Sequence, residues 1–219
     1  MQIVGQPLPS KSAPSPQNST DWRFLLPVSP QSKVLVVGRK CDDYIRLLSK
    51  LEIEATSWDD DLSVLPTGAF LPASFDIVTI PQGIPDEMQS ENSHAQQETF
   101  QNLRRLLKPG GIILIGFLNS HAFHRKFIAG NYYTTPGRIT RFLHRAGYEK
   151  ITLYGAVPNL SAPEYLFPLT RQTIGFILEH RYRNKLPVQL LSLLHTPPFT
   201  VFYSYFLPSY FAIAALPTN

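Results

Sequence analysis

Leu106-Leu107-Lys108-Pro109-Gly110-Gly111-Ile112-Ile113-Leu114-Ile115 is the stretch that decides how this chain is read. It predicts a helix that stops, a sharp Pro-Gly-Gly turn and a buried strand. Proline and two glycines do not continue a helix, and four successive aliphatic residues suit a strand covered on both faces. Upstream, Ser74-Phe75-Asp76-Ile77-Val78-Thr79-Ile80 reads as another short buried strand entered from a turn. Between the two, residues 96–107 place Phe100, Leu103, Leu106 and Leu107 on one helical face. Strand, helix, turn and strand form a βαβ unit.

The same alternation extends in both directions. Lys33-Val34-Leu35-Val36-Val37-Gly38 is an apolar run closed by glycine, as expected of a central parallel strand. Residues 42–50 carry Tyr44, Ile45, Leu47 and Leu48 at helical spacing, and residues 53–57 suit a second strand. Thr135-Pro136 opens a further helix with Ile139, Phe142 and Leu143 inward, and Gly147 ends it. Residues 148–154 are then a strand. Such alternation with short loops predicts an α/β fold, a doubly wound and mostly parallel sheet.

Composition narrows the class. At 43% hydrophobic and 16% charged residues over a length of 219, the chain can bury a full core and is not disordered throughout. Its net charge of +4 is spread along the chain, so nucleic-acid binding is not favoured. The lone Cys41 has no intramolecular disulfide partner, which suits a cytoplasmic location, with peripheral membrane contact as an addition. Residues 1–20, rich in proline, serine, glutamine and asparagine, read as a flexible tail without the apolar core of a signal peptide. Residues 186–219 contain no Asp, Glu, Lys or Arg, yet Pro197, Pro198 and Pro208 interrupt them. A membrane span needs about 20 continuous apolar residues. The tail is therefore expected to be buried against the protein's own insertion or a partner. The basic run Glu179 to Lys185 before it suits a helix end, or a phosphate or headgroup contact.

The wording "SFDIV" at residues 74–78 and "LLKPGG" at residues 106–111 resembles the class I S-adenosylmethionine-dependent methyltransferases. The resemblance implies a Rossmann-like methyltransferase fold over residues 21–154, an insertion or cover over 155–208, and a last, antiparallel strand over 209–219. Helices are expected at residues 170–182 and 188–194. The resemblance also implies S-adenosylmethionine as cofactor, held by Gly38, Asp59 and Gln82. The family's first loop reads G-x-G-x-G, because glycine lets the backbone approach the ligand. Here Gly38 is followed by Lys40 and Asp42 at the next two glycine positions, and Val36 replaces an acidic residue of the first strand. Asp59, about twenty residues on, stands where the family binds both ribose hydroxyls, with Asp60 and Asp61 equally near. The short segment between Asp61 and Ser74 leaves little room for the family's third strand.

Acceptor-side residues come from the loops after the fourth and fifth family strands: Gln82 and His94, then Asn119, His121 and His124, with Tyr132 and Tyr133 beyond. His94, His121 and His124 are the candidate general bases, since a histidine side chain exchanges protons near neutral pH. Neither a metal centre nor a cysteine nucleophile is expected, because His121 and His124 lack a third ligand and Cys41 lacks a base. Two functions follow. One is methyl transfer from S-adenosylmethionine to a small or lipid-like acceptor. The other is a pseudoenzyme, a methyltransferase-fold protein that serves as a binding or assembly subunit and takes a protein partner through residues 186–216. The altered residues are those that hold the ligand, and the retained ones hold the fold.

Overall fold

Val34 to Val37 are all buried, and their side chains alternate between two apolar layers, which makes Lys33–Val37 (β1) the strand around which the rest is laid. The computed structural model describes residues 22–38, 41–58, 70–83, 93–122, 133–161, 163–183, 187 and 195–218. In chain order the further elements are α1 (Asp42–Lys50), β2 (Glu54–Trp58), β3 (Phe75–Ile80), α2 (Ser93–Leu106), β4 (Leu107–Asn119), β5 (Tyr133–Thr134), α3 (Pro136–Arg145), β6 (Glu149–Val157), β7 (Tyr165–Pro168), α4 (Arg171–Tyr182), α5 (Pro197–Phe206) and β8 (Ser209–Ala215).

The described strands form one sheet in the order β2-β1-β3-β4-β8-β6-β7, with β5 paired to β4. β2, β1, β3 and β4 run parallel. β8 inserts antiparallel between β4 and β6, as the resemblance implied. One face packs on α2, α3 and α4 through residues such as Phe100, Phe142 and Leu178. The other packs on α1 and the short helix Trp22–Leu25 through Leu48 and Trp22. Helices on both faces make the sheet doubly wound.

The Pro-Gly-Gly segment departs from its sequence reading. It is not a turn before the strand but part of it. Pairing steps from Phe75–Leu107 to Ile77–Ile112, so Lys108 to Gly111 bulges out of register inside β4. Gly110, at φ +74, takes the left-handed conformation that the bulge requires. The bulge carries Lys108 onto Asp76, with Nζ 2.8 Å from both carboxylate oxygens, while the Lys33 amide donates to the same carboxylate at 2.9 Å. The Asp of "SFD" therefore clasps β1, β3 and β4 at their amino ends.

Partial burial pushes the Asp76 carboxyl up, but the Lys108 hydrogen bond, the Lys33 amide and both lysine charges outweigh it and hold the group below its ordinary value. A carboxyl held low stabilises the fold above the ordinary carboxylate range and loses that contribution as pH falls through it. The side chain is 35% exposed, so screening trims the effect. Asp76→Ala is expected to cost about 1 kcal/mol at neutral pH and to flatten the acid limb of the stability curve. Denaturant titrations across the acidic range check this; parallel curves for both proteins would sink it.

Helix α3 is built as its sequence predicts. The Thr135 hydroxyl accepts from the Arg138 amide at 3.2 Å, Pro136 sits in the first turn, and Gly147 at φ +83 leads out. Next to it Tyr148 is 1% exposed, and its hydroxyl has no hydrogen-bond partner among the described residues. Burial pushes this phenol well up, with the Arg104 charge opposing. An unsatisfied buried hydroxyl costs folding energy, so Tyr148→Phe should leave stability unchanged or raise it by about 1 kcal/mol. A lowered melting temperature would contradict that expectation.

The second half of the chain corrects several readings. Residues 155–157, read as the start of the insertion, continue β6, and β7 extends the same sheet beyond it. α4 begins where expected, with the Thr170 hydroxyl accepting from the Thr173 amide at 3.2 Å. The expected helix over 188–194 and the tail over 1–20 lie outside the described residues. The charge-free tail is not uniformly buried. Leu207, Tyr210, Phe211, Ala212, Ala214 and Leu216 are core, inside the protein's own sheet. A partner therefore cannot take the whole of 186–216. α5, in contrast, exposes Phe199, Val201, Phe202 and Tyr205.

Candidate functional site

In an open α/β sheet, ligands bind outside the carboxyl ends of the strands. At that edge of β1, Gly38 takes φ +128, a conformation that side chains disfavour, and its amide donates to the Trp58 carbonyl at 3.0 Å. A Cβ built at Gly38 would meet no atom of the described residues within 4 Å, its chain neighbours aside. The backbone here faces open space. Next to it, the Cys41 thiol is 1% exposed and donates to the Gly38 carbonyl at 2.8 Å, which ties the loop back to α1. Cys41 thus braces the loop, and its burial does not suit a nucleophile. The Trp58 indole N–H, at the end of β2, is buried and finds no hydrogen-bond partner among the described residues. Tested against these residues, a cofactor fits at Gly38: bare backbone faces open space there, and the adjacent strand end carries an unused donor. Asp59, Arg39 and Lys40 lie outside the described residues.

β3 ends in Pro81-Gln82-Gly83, a turn closed by the Gly83 amide on the Ile80 carbonyl at 3.2 Å. Gly116 of β4 packs its backbone on the Pro81 carbonyl so closely that a side chain would overlap it. Gln82 is therefore held, half-buried, at the same edge as Gly38. His94 lies in the first turn of α2, after the loop that follows β3. His124 and Tyr132 lie outside the described residues. Among those described, no three His, Cys, Asp or Glu side chains are grouped to hold a metal ion.

At the end of β4, Asn119 is 1% exposed and does not face an acceptor. Its amide nitrogen donates to the carbonyls of Tyr205 at 2.7 Å and Leu207 at 2.8 Å, with the Tyr210 hydroxyl 3.2 Å away. Its oxygen accepts from the His121 amide at 3.0 Å. The Tyr210 hydroxyl donates to the Ser204 carbonyl at 2.6 Å. These bonds satisfy carbonyls left over at the carboxyl end of α5. They also fix His121, whose exposed ring stacks on Tyr205 at 5.1 Å and 21°. Gly38, Gln82 and His121 thus stand on one edge, on β1, β3 and β4. Two strand spacings, about 10 Å, separate the outer pair of strands.

Of two cavities among the described residues, one lies at this edge of the sheet and one at the opposite edge. One of about 320 Å³ sits at the carboxyl end of β6, lined by Val157, Pro158, Glu164, Tyr165, Ile177 and His180. It lies where β6, β7 and α4 meet, and no sequence motif announced it. The other, about 420 Å³, is an open groove at the amino edge beside Arg104, Arg105 and Arg145, away from the site.

No protein-family model and no curated protein sequence matches this chain. Solved structures do. An S-adenosylmethionine-dependent methyltransferase from Archaeoglobus fulgidus aligns over 89% of this chain and 90% of its own, with TM-score 0.54 and 11% identity. One from Mesorhizobium loti aligns over 88% and 94%, with TM-score 0.52 and 12% identity. Phosphoethanolamine N-methyltransferase 2 of Haemonchus contortus, solved with phosphomonomethylethanolamine and S-adenosylhomocysteine, aligns over 89% of this chain at TM-score 0.51 and 14% identity, but over only 51% of its own length. In fold, this chain is similar to the S-adenosylmethionine-dependent methyltransferases.

Proposed function

We propose that this protein is a methyltransferase that binds S-adenosylmethionine over Gly38 and acts on a small or lipid-like acceptor. The observation that carries the reading is Gly38: a left-handed backbone facing open space, at the strand end where this fold class takes its ligands. When bound, the cofactor supplies an electrophilic methyl group. The protein's own residues then position the acceptor and remove a proton where one must leave. Asp59 is the proposed partner of the ribose hydroxyls, and Gln82 lines the same edge. Among the candidate bases, His121 has the best support, since Asn119 holds its backbone and Tyr205 its ring. His94 and His124 remain alternatives. The cavity beside β6 and α4 suits the remote part of an acceptor. Residues 155–208, apart from the strands they contribute, are the proposed cover.

The replaced glycines favour a second reading, a pseudoenzyme that binds without catalysis. Lys40 and Asp42 stand at positions where the family's loop carries glycine; Asp42 opens α1 in helical conformation, so its side chain and not backbone strain sets it apart from a glycine there. Among the described residues, β2 is also the edge of the sheet, with no further strand beside it to wall an adenine. Calorimetry with S-adenosylmethionine and its demethylated product separates the two readings. Weak, saturable heat supports the enzyme, and none at any concentration supports the binding subunit.

A further inference from the structure

Helix α5 is built inside out. At 100° per residue, Val201, Tyr205, Phe202 and Phe199 sweep one continuous arc of about 160°, and these side chains are 65%, 45%, 53% and 48% exposed. The opposite side presents Thr200, 2% exposed, whose hydroxyl turns back to the carbonyls of Thr196 and Pro197 at 3.3 and 3.2 Å. A helix that packs on a soluble core does the reverse. Besides Tyr203, which packs against the core, α5 is held at its two ends. At the amino end the His195 ring lies over Gly175 and within 3.2 Å of Glu179, while Arg171 Nε donates to the His195 carbonyl at 2.9 Å. At the carboxyl end it is latched by Asn119 and Tyr210.

From these observations we infer that α5 is a membrane-docking element, which lays its aromatic arc into the interfacial region of an anionic lipid bilayer. Ten residues span about 15 Å, half the thickness of a bilayer's hydrocarbon core, so the helix can lie in the interface but not cross it. No helix among the described residues is long and apolar enough to cross a membrane. Its residues suit that depth: aromatic rings with no formal charge from 186 to 219. A cation stands at its amino end, as an anionic surface requires: Arg171, whose Nε reaches the His195 carbonyl. Arg171 opens α4, which packs on α5, and Arg183 follows its end, exposed, inside the basic run 179–185. Phe176 of α4 is a further 64% exposed. A second copy of the chain fits less well. Four half-exposed side chains offer roughly 400 Å², against about 800 Å² per partner in a stable interface, and apposed copies would leave these cations without acidic partners.

The arc lies at the carboxyl edge of β4, next to His121. A docked helix would therefore bring a bilayer-borne acceptor to that edge, a consequence that rests on the proposed methyl transfer, although the docking does not. Vesicle co-sedimentation without cofactor tests it. The wild-type chain should partition onto vesicles of phosphatidylcholine and phosphatidylglycerol in equal parts, and more weakly onto phosphatidylcholine alone. Phe199→Asp with Val201→Asp should lower partitioning by about tenfold or more, with the circular-dichroism spectrum and melting temperature kept. If that pair does not fold, Val201→Asp alone carries the test. Arg183→Glu should weaken binding to the anionic vesicles only. Equal pelleting of wild type and variants overturns the proposal. So does a dimer in sedimentation velocity that the same variants dissolve, which would make the arc a self-interface. Docking without any cofactor heat would leave α5 a membrane element and remove the methyltransferase reading alone.

Discussion

Gly38→Val is expected to abolish S-adenosylmethionine binding while leaving a folded protein. Its φ of +128 belongs to glycine, so a valine there is strained by about 1–3 kcal/mol. Among the described residues no atom beyond the chain neighbours lies within 4 Å of the new Cβ, so they add no clash to that strain. The melting temperature should therefore fall by about 2–12 °C, short of unfolding the protein. The new side chain would instead fill the space into which a ligand must settle. Wild-type affinity is itself expected to be weaker than micromolar, because the sequence puts Lys40 and Asp42 at two positions where the family's loop carries glycine and adds two cations, Arg39 and Lys40, to a loop proposed to hold a cationic ligand. Each loss of about 1.4 kcal/mol is tenfold in affinity, so two such positions are enough to move binding out of the family's usual range. Calorimetry on both proteins decides the matter. Unchanged heat in a folded Gly38→Val variant would put the site elsewhere, and tight wild-type binding would show that the loop substitutions are harmless.

Asn119→Ala is expected to be among the most damaging single changes at this edge, at about 3 kcal/mol. It would leave the carbonyls of Tyr205 and Leu207 without their side-chain donor and the His121 amide without its acceptor. A buried group deprived of its partner costs about 1–3 kcal/mol. The loss should also be local. Since α5 buries so little of its own apolar surface, freeing its carboxyl end should raise hydrogen exchange in residues 197–206 well before the sheet opens. Denaturant melts and exchange of those amides check both parts. A variant as stable as wild type, with α5 equally protected, would show that Tyr210 alone holds the latch.

Much of the fold can be read from local signals. Thr135-Pro136 and Gly147 bracket α3 because caps and helix-ending glycines act within a few residues of chain. The aliphatic runs at 34–37 and 112–115 mark strands because both faces of a parallel strand are covered. Where the reading fails, the cause lies farther along the chain. Lys108 to Gly111 looks like a turn, yet it stays inside β4 because neighbouring strands pair on either side of the bulge. α5 was missed because Phe, Tyr and Val are indifferent helix formers, and because its apolar residues face outward, so no core-facing stripe is visible. Pro197-Pro198, read as an interruption, in fact opens the helix. Asn119 was legible as a polar residue at a strand end. Its role was not, since the carbonyls it serves lie 86 and 88 residues away.

The site was legible in position but not in condition. Counting from Gly38 and from Ile80 places Gly38, Gln82 and His121 on one edge, and the strand order sets them side by side. What the replaced glycines do to a ligand depends on backbone angles and clearances, which spacing does not encode.

The clasp of Lys33, Asp76 and Lys108 has a consequence for how this lineage changes over time. It closes the sheet at the amino end, and the loop after Gly38 hangs from the opposite end. Substitutions in that loop leave the clasp intact, so they escape the purge that removes unstable sequences. A loop reading Arg39-Lys40-Cys41-Asp42 is thus compatible with the same scaffold, whatever ligand that loop holds. In such a chain, a surviving "LLKPGG" testifies to architecture, and inheritance of the chemistry has to be established at the other end of the strands.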